Sequence, residues 1–100
     1  AEVGRLIAYT VSWLQGQGQV PNRESSASKV FGSELVQRVA NFGVNLLGMY
    51  GGLARGSPWA RLRGHLQLGW LNSFSATIAE GTSEIQRNII ALRGLGLPRG

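Results

Sequence analysis

The longest uninterrupted pattern in this 100-residue chain begins between Asn22 and Ser26 and runs to about Leu47. Along it Val30, Phe31, Leu35, Val36, Val39, Phe42, Val44, Leu46 and Leu47 form a broad apolar stripe at helical spacing. A helix of that length belongs at the centre of so small a domain, and everything else must be arranged around it. Gly32 and Gly43 each cost roughly 1 kcal/mol relative to alanine inside a helix, so the sequence predicts close backbone packing at both. Upstream, Val3, Leu6, Ile7, Tyr9, Val11 and Leu14 repeat nearer 3.6 than 2, which predicts a helix over 3–14. No capping residue precedes it, so the natural helix is expected to extend upstream of Ala1. Gly16-Gln17-Gly18-Gln19 and Pro21 then predict a turn. Downstream, Gly48, Gly51, Gly52, Gly56 and Pro58 predict an irregular loop. Leu66, Leu68, Trp70, Leu71, Phe74 and Ile78 give a weaker helical pattern from His65 to Ile78. A last helix is expected from about Ser83 to Leu95, ended by Gly96 and Pro98. Four helical segments and no convincing strand predict an all-α bundle.

Composition removes several classes of function. With 43% hydrophobic residues the chain can bury a modest core, but at this length only roughly 60–65% of the unfolded surface is removed from water, which leaves little margin if a packing partner is absent. There is no cysteine, so disulfides and thiolate chemistry are excluded, and the lone His65 cannot build a histidine-rich metal site. No apolar run approaches the ~20 residues that span a bilayer, and the first residues lack the order of a signal peptide, so a soluble, cytoplasmic protein is expected. The net charge of +5 comes from nine arginines and one lysine against five glutamates. Only Arg55, Arg61 and Arg63 lie close together, so solvated faces and salt bridges explain the charge better than a nucleic-acid surface, and anionic ligands come between the two. Trp13, Trp59 and Trp70 are expected to be packing surface rather than stacking platforms.

The chemistry-bearing stretch is Ala79-Glu80-Gly81-Thr82-Ser83-Glu84-Ile85-Gln86-Arg87. Ser83 and Gln86 have capping-box spacing, which predicts a helix start near Ser83 with unpaired N–H groups in its first turn. Gly81 supplies a flexible joint just outside, and Glu80 is the carboxylate held there. On the residues alone Glu80 reads as a charge that complements the helix dipole; in a cleft that excludes water it can serve as a general base.

This stretch resembles the C-terminal signature of acyl-CoA dehydrogenases, Glu-Gly-Thr-Ser-Glu/Gln-Ile-Gln-Arg followed by an apolar helix. Ser28-Lys29-Val30-Phe31-Gly32-Ser33-Glu34-Leu35 resembles a second block of that family, at about the expected distance upstream. The resemblance implies residues 1–100 of a C-terminal four-helix domain lacking its first helix, from a polypeptide whose N-terminal and middle domains are not in this chain. It implies that Glu80 removes the α-proton of an acyl-CoA thioester while a hydride passes to flavin N5, and that the Glu80 N–H binds the thioester carbonyl. Gly81 would lie beside the thioester, and Thr82, Ser83 and Glu84 would meet FAD. Asn45-Leu46-Leu47-Gly48-Met49-Tyr50-Gly51-Gly52 is similar to the family's Gln-x-x-Gly-Gly-x-Gly segment, which implies flavin contacts at Asn45 and Gly48. The chain departs from the family at Ala79, where an aromatic residue is usual, at Leu71-Asn72-Ser73, where an Arg-Asp pair is usual, and at Asn45 and Met49.

Further implications are an electron-transfer flavoprotein as acceptor and a homotetramer or homodimer built on these helices. The isolated chain is expected to be inactive and to self-associate through uncovered apolar faces. The rival reading is a non-catalytic helical oligomerisation module, in which Glu80 is only a helix-start charge.

Overall fold

The computed structural model describes residues 2–99, and every regular element among them is helical. Helix α1 spans Glu2–Gly16, α2 Asn22–Leu46, α3 His65–Ile78 and α4 Ser83–Ile89. Two 3-10 turns, Gly48–Gly52 and Arg61–Gly64, precede α3, and a π-helical turn, Ile90–Gly94, continues α4. The chain forms two compact units, one of Ala1–Gly32 with Glu80–Gly100 and one of Ser33–Ala79, so the division falls inside α2.

In the first unit, Gly4, Ile7, Val11 and Leu14 make the less exposed face of α1, at the three- and four-residue steps of a helix. Phe31 of α2 lies on this face, its ring 3.3 Å from where a Cβ on Gly4 would stand. The end of α1 is closed by two hydrogen bonds, Gln19 N–H to the Leu14 carbonyl at 3.1 Å and Gly18 N–H to the Gln15 carbonyl at 3.0 Å. These satisfy carbonyls that a last helical turn leaves free. Pro21 is buried and gives its carbonyl to the Ser25 N–H at 2.8 Å, opening α2 where a missing N–H costs nothing. Near the other terminus, Arg93 Nη1 donates to Asn22 Oδ1 at 3.1 Å and ties the π-helical turn to the start of α2.

In the second unit, Gly43 admits Leu66, whose Cδ2 is 3.1 Å from the position of an added Cβ. Trp70 and Phe74 meet edge to face at 5.1 Å, a geometry that contributes about 0.5–1.5 kcal/mol beyond area burial. Trp13 and Trp59, in contrast, are exposed.

Four expectations change. The glycine-rich stretch after α2 is not wholly irregular, because residues 48–52 can close a tight 3-10 turn without side-chain crowding. The last helix is α-helical only to Ile89 and widens to a π-helical turn beyond it. Gly43 marks a close contact but Gly32 does not, since nothing lies within 4 Å of a Cβ built there. The apolar stripe of α2 is also not a core: Val36, Val39, Phe42 and Leu46 are 54%, 61%, 67% and 73% exposed, and no apolar side chain among the described residues is fully buried. The stripe is wider than the helical surface available in this chain can cover.

Candidate functional site

After α3 the chain is extended at Ala79, then passes through two left-handed residues, Glu80 at φ +57° and Gly81 at φ +95°, before Thr82 caps α4. Glycine adopts this geometry freely, whereas a glutamate held there costs of order 1–3 kcal/mol and persists only where its surroundings over-determine it. Two side chains supply that determination. Lys29 Nζ, half-buried on α2, donates to the Gly81 carbonyl at 2.6 Å, and Gln86 Nε2 donates to the Glu80 carbonyl at 3.1 Å. Two consecutive carbonyls are therefore pinned from two different helices. Lys29 and Gln86 line an open groove of about 310 Å³ together with Gln15, Asn22, Ser25 and Ser26.

The Glu80 carboxylate is exposed, and no hydrogen bond or ion pair among the described residues engages it. Among the described residues, nothing covers the Glu80 side chain.

The cap of α4 lies one residue earlier than the capping-box spacing predicts. Thr82 is extended, at φ −61° and ψ 162°, and its Oγ1 accepts the Ile85 N–H at 3.3 Å, while its carbonyl accepts the Gln86 N–H at 2.9 Å. Ser83 is already helical. Its hydroxyl is buried without a hydrogen-bond partner among the described residues, and the Gln86 amide is turned away to Glu80. The Glu84 carboxyl is held below the usual carboxylate range, first by its own backbone N–H, then by the Thr82 hydroxyl, with Arg87 and Lys29 adding attraction.

Glu80, Gly81, Thr82, Ser83 and Glu84 are brought together in one unit by continuity of the chain. Asn45 and Gly48 belong to the other unit, where Asn45 Nδ2 donates to the Asn41 carbonyl at 2.8 Å and Gly48 turns the chain at φ +56°. The sequence reading missed Lys29 as part of the site. The available signal was composition: it is the only lysine in a chain with nine arginines. Among the described residues, no group of three His, Cys, Asp or Glu side chains is placed to hold a metal ion.

Residues 1–95 match the profile of the acyl-CoA dehydrogenase C-terminal domain. The chain belongs to the acyl-CoA dehydrogenase family. It is 37% identical over 103 residues to the acyl-CoA dehydrogenase FadE26 of Mycobacterium tuberculosis H37Rv, covering 99% of this chain and 26% of that protein. It is 34% identical over 81 residues to the acyl-CoA dehydrogenase FadE29 of the same organism, covering 76% of this chain and 19% of that protein. Among solved structures, the ChsE4–ChsE5 complex from Mycobacterium tuberculosis matches with a TM-score of 0.86 at 35% identity, over 99% of this chain and 26% of the matched chain. The Tcur3481–Tcur3483 steroid ACAD matches with a TM-score of 0.89 at 26% identity, over the same shares. The chain therefore has the all-α fold of an acyl-CoA dehydrogenase C-terminal domain and spans about a quarter of the length of these relatives. No helix among the described residues is long and apolar enough to cross a membrane.

Proposed function

We propose that residues 1–100 are the C-terminal part of an FAD-dependent acyl-CoA dehydrogenase, and that Glu80 is its base. The observation that carries this reading is the Glu80–Gly81 turn, where an unpaired carboxylate stands on a left-handed backbone that Lys29 and Gln86 hold in place. A residue whose only role was to complement a helix dipole would need neither the strained φ nor the clamps. In the reaction the Glu80 carboxylate takes the α-proton of the acyl thioester, and its N–H donates to the thioester carbonyl, stabilising enolate-like charge. Gly81 keeps the backbone beside the thioester free of a side chain.

FAD, when bound, supplies the acceptor for the β-hydride. Of the groups proposed to meet it, the Thr82 hydroxyl already accepts the Ile85 N–H and the Ser83 hydroxyl is shielded. Of the main-chain N–H groups in the first turn of α4, the Ile85 N–H is already given to the Thr82 hydroxyl, and the proposed flavin contact falls on those before it. Asn45 and Gly48 remain part of the proposal, with the Asn45 amide nitrogen already given to its own helix. The acceptor of electrons from the flavin is proposed to be an electron-transfer flavoprotein.

The structural relatives are named for pairs of polypeptides, and one is titled a steroid ACAD. Those names favour a second form of the assembly reading, in which the parent pairs with a different acyl-CoA dehydrogenase chain, rather than with copies of itself, and acts on a polycyclic acyl thioester. Val3, Leu6, Tyr9 and Trp13, all more than half exposed on α1, are the kind of apolar surface either assembly would cover. A folded, stable monomer of this chain in sedimentation analysis would overturn the form in which it pairs with copies of itself.

The reading is tested on the full-length polypeptide that contains this segment, by flavin content and ferrocenium-coupled acyl-CoA oxidation, wild type beside Glu80→Gln. Bound FAD with activity reduced by roughly 10²–10⁴-fold is expected. Bound FAD with unchanged activity would assign the base elsewhere, and a polypeptide without flavin would leave the helical assembly module.

A further inference from the structure

We propose that Lys29 is a positioning residue that acts on the chemistry through Glu80: its ammonium fixes the Gly81 carbonyl and thereby the orientation of the turn that carries the base. This rests on the reading of Glu80 as the base.

Three observations lead to it. The hydrogen bond from Lys29 Nζ to the Gly81 oxygen is 2.6 Å long, partly buried, and joins residues 52 apart in sequence, so it links the turn to a long helix rather than to its own neighbours. It falls on the carbonyl of a left-handed residue that directly follows a second left-handed residue, where local sterics do not hold a glutamate unaided. Finally, the second clamp is not redundant with it. Gln86 pins the Glu80 carbonyl from α4, the helix that immediately follows the turn, and so moves with it. Of the two clamps, Lys29 is the one that refers the turn to α2.

The choice of residue type also follows from the geometry. The acceptor is one neutral carbonyl reached by a long flexible stem, so a single donor at the end of such a stem suffices and the bidentate geometry of a guanidinium is not required. The ammonium is also near enough to Glu84 to help hold that carboxyl low.

The experiment uses the full-length flavoenzyme with Lys29→Met, Lys29→Arg, Glu80→Gln and the Lys29→Met/Glu80→Gln double variant. Flavin content, kcat, KM and the isotope effect of α-deuterated acyl-CoA are measured for each. Displacing a base by about 1 Å can cost on the order of 10²-fold. The expected result for Lys29→Met is therefore a kcat lowered by roughly 10–100-fold, with KM and flavin content little changed and a larger isotope effect at the α-carbon. Lys29→Arg should recover most of kcat, because it still donates to a carbonyl. The double variant should be no slower than Glu80→Gln alone, since a residue acting through Glu80 has nothing left to position.

A Lys29→Met enzyme with wild-type kcat, or a double variant whose losses multiply, overturns the proposal while leaving Glu80 as the base. An active Glu80→Gln enzyme overturns the reading of the base itself. If Lys29→Met fails to retain flavin, Lys29→Arg decides: a flavin-loaded Lys29→Arg enzyme with an unchanged α-isotope effect supports positioning, and one with kcat as low as Glu80→Gln overturns it.

Discussion

Two turns in this chain run through consecutive left-handed residues into a helix, and they are held in different ways. At Leu62, Arg63 and Gly64 the φ values are +52°, +55° and +73°, and α3 follows. Support there is backbone against backbone: a Cβ on Gly64 would stand 2.6 Å from the Arg55 nitrogen, while Leu62 and Arg63 are exposed and Arg61 lies over the Tyr50 ring at 5.5 Å. At Glu80 and Gly81 the support is two side-chain donors from α2 and α4. The first arrangement is a join between a loop and a helix, and nothing in it presents a reactive group. The second leaves a carboxylate free at the tip of a braced turn. Strain held by close-packed main chain serves architecture, whereas strain held by distant side chains marks a turn whose exact direction matters.

That contrast is broken most forcefully by paired glycine substitutions in the full-length protein. Gly64→Ala should destabilise by about 2–4 kcal/mol, because its Cβ meets unyielding backbone at a left-handed φ. Gly81→Ala should cost less, about 1–2 kcal/mol, because its Cβ meets the movable tip of Gln86 at 2.7 Å. Activity per folded, flavin-loaded molecule should rank the other way. Urea unfolding and acyl-CoA turnover on the same samples give both numbers, and equal losses of activity at the two sites would erase the distinction.

A smaller effect is expected at the cap. Thr82→Ala removes the acceptor of the Ile85 N–H and should destabilise by about 1 kcal/mol, whereas Ser83→Ala, which removes a buried hydroxyl with no partner, should be neutral or stabilising. Reversal of that order in thermal unfolding would return the cap to Ser83.

The pH dependence is subtler. Glu84 and Glu24 both bind protons more weakly folded than unfolded, Glu24 through its own backbone N–H and then Arg23, so each adds stability above the ordinary carboxylate range. That contribution is lost as pH falls from that range through their lower folded values. Glu84→Gln should flatten the acid limb of a stability profile by lowering stability near neutrality while leaving it unchanged at low pH, where the carboxylate is already protonated; an unchanged acid limb would remove Glu84 from the account.

The least effect is expected from Tyr50→Leu, which removes an exposed cation–π contact with Arg61 of about 0.5 kcal/mol. A cost of several kcal/mol would mean that the Arg61–Gly64 turn, like the Glu80 turn, depends on its side chains.

The periodicity of apolar residues fixed where helices form. His65–Ile78 is helical over the expected span, α2 ends one residue from its expected limit, and Gly18 and Pro21 separate α1 from α2. The signature around Glu80 likewise identified the family from residue order alone. Near the ends of elements the sequence was less decisive. Thr82 and Ser83 are both good caps, and only the extended backbone at Thr82 selects it. Gly32 and Gly43 look alike in a helix, but Leu66 lies against one and nothing lies against the other.

What the sequence determined by itself was the helical class, the order of the helices and the chemistry available at residues 80–84, because these depend on spacing and side-chain type within a few residues. Tertiary structure alone decided which apolar stripe is covered, which hydroxyl caps α4, and that the only lysine reaches 52 residues along the chain to hold the turn carrying the carboxylate. Those outcomes depend on which surfaces and carbonyls folding brings within a few ångströms, and no local pattern encodes that distance.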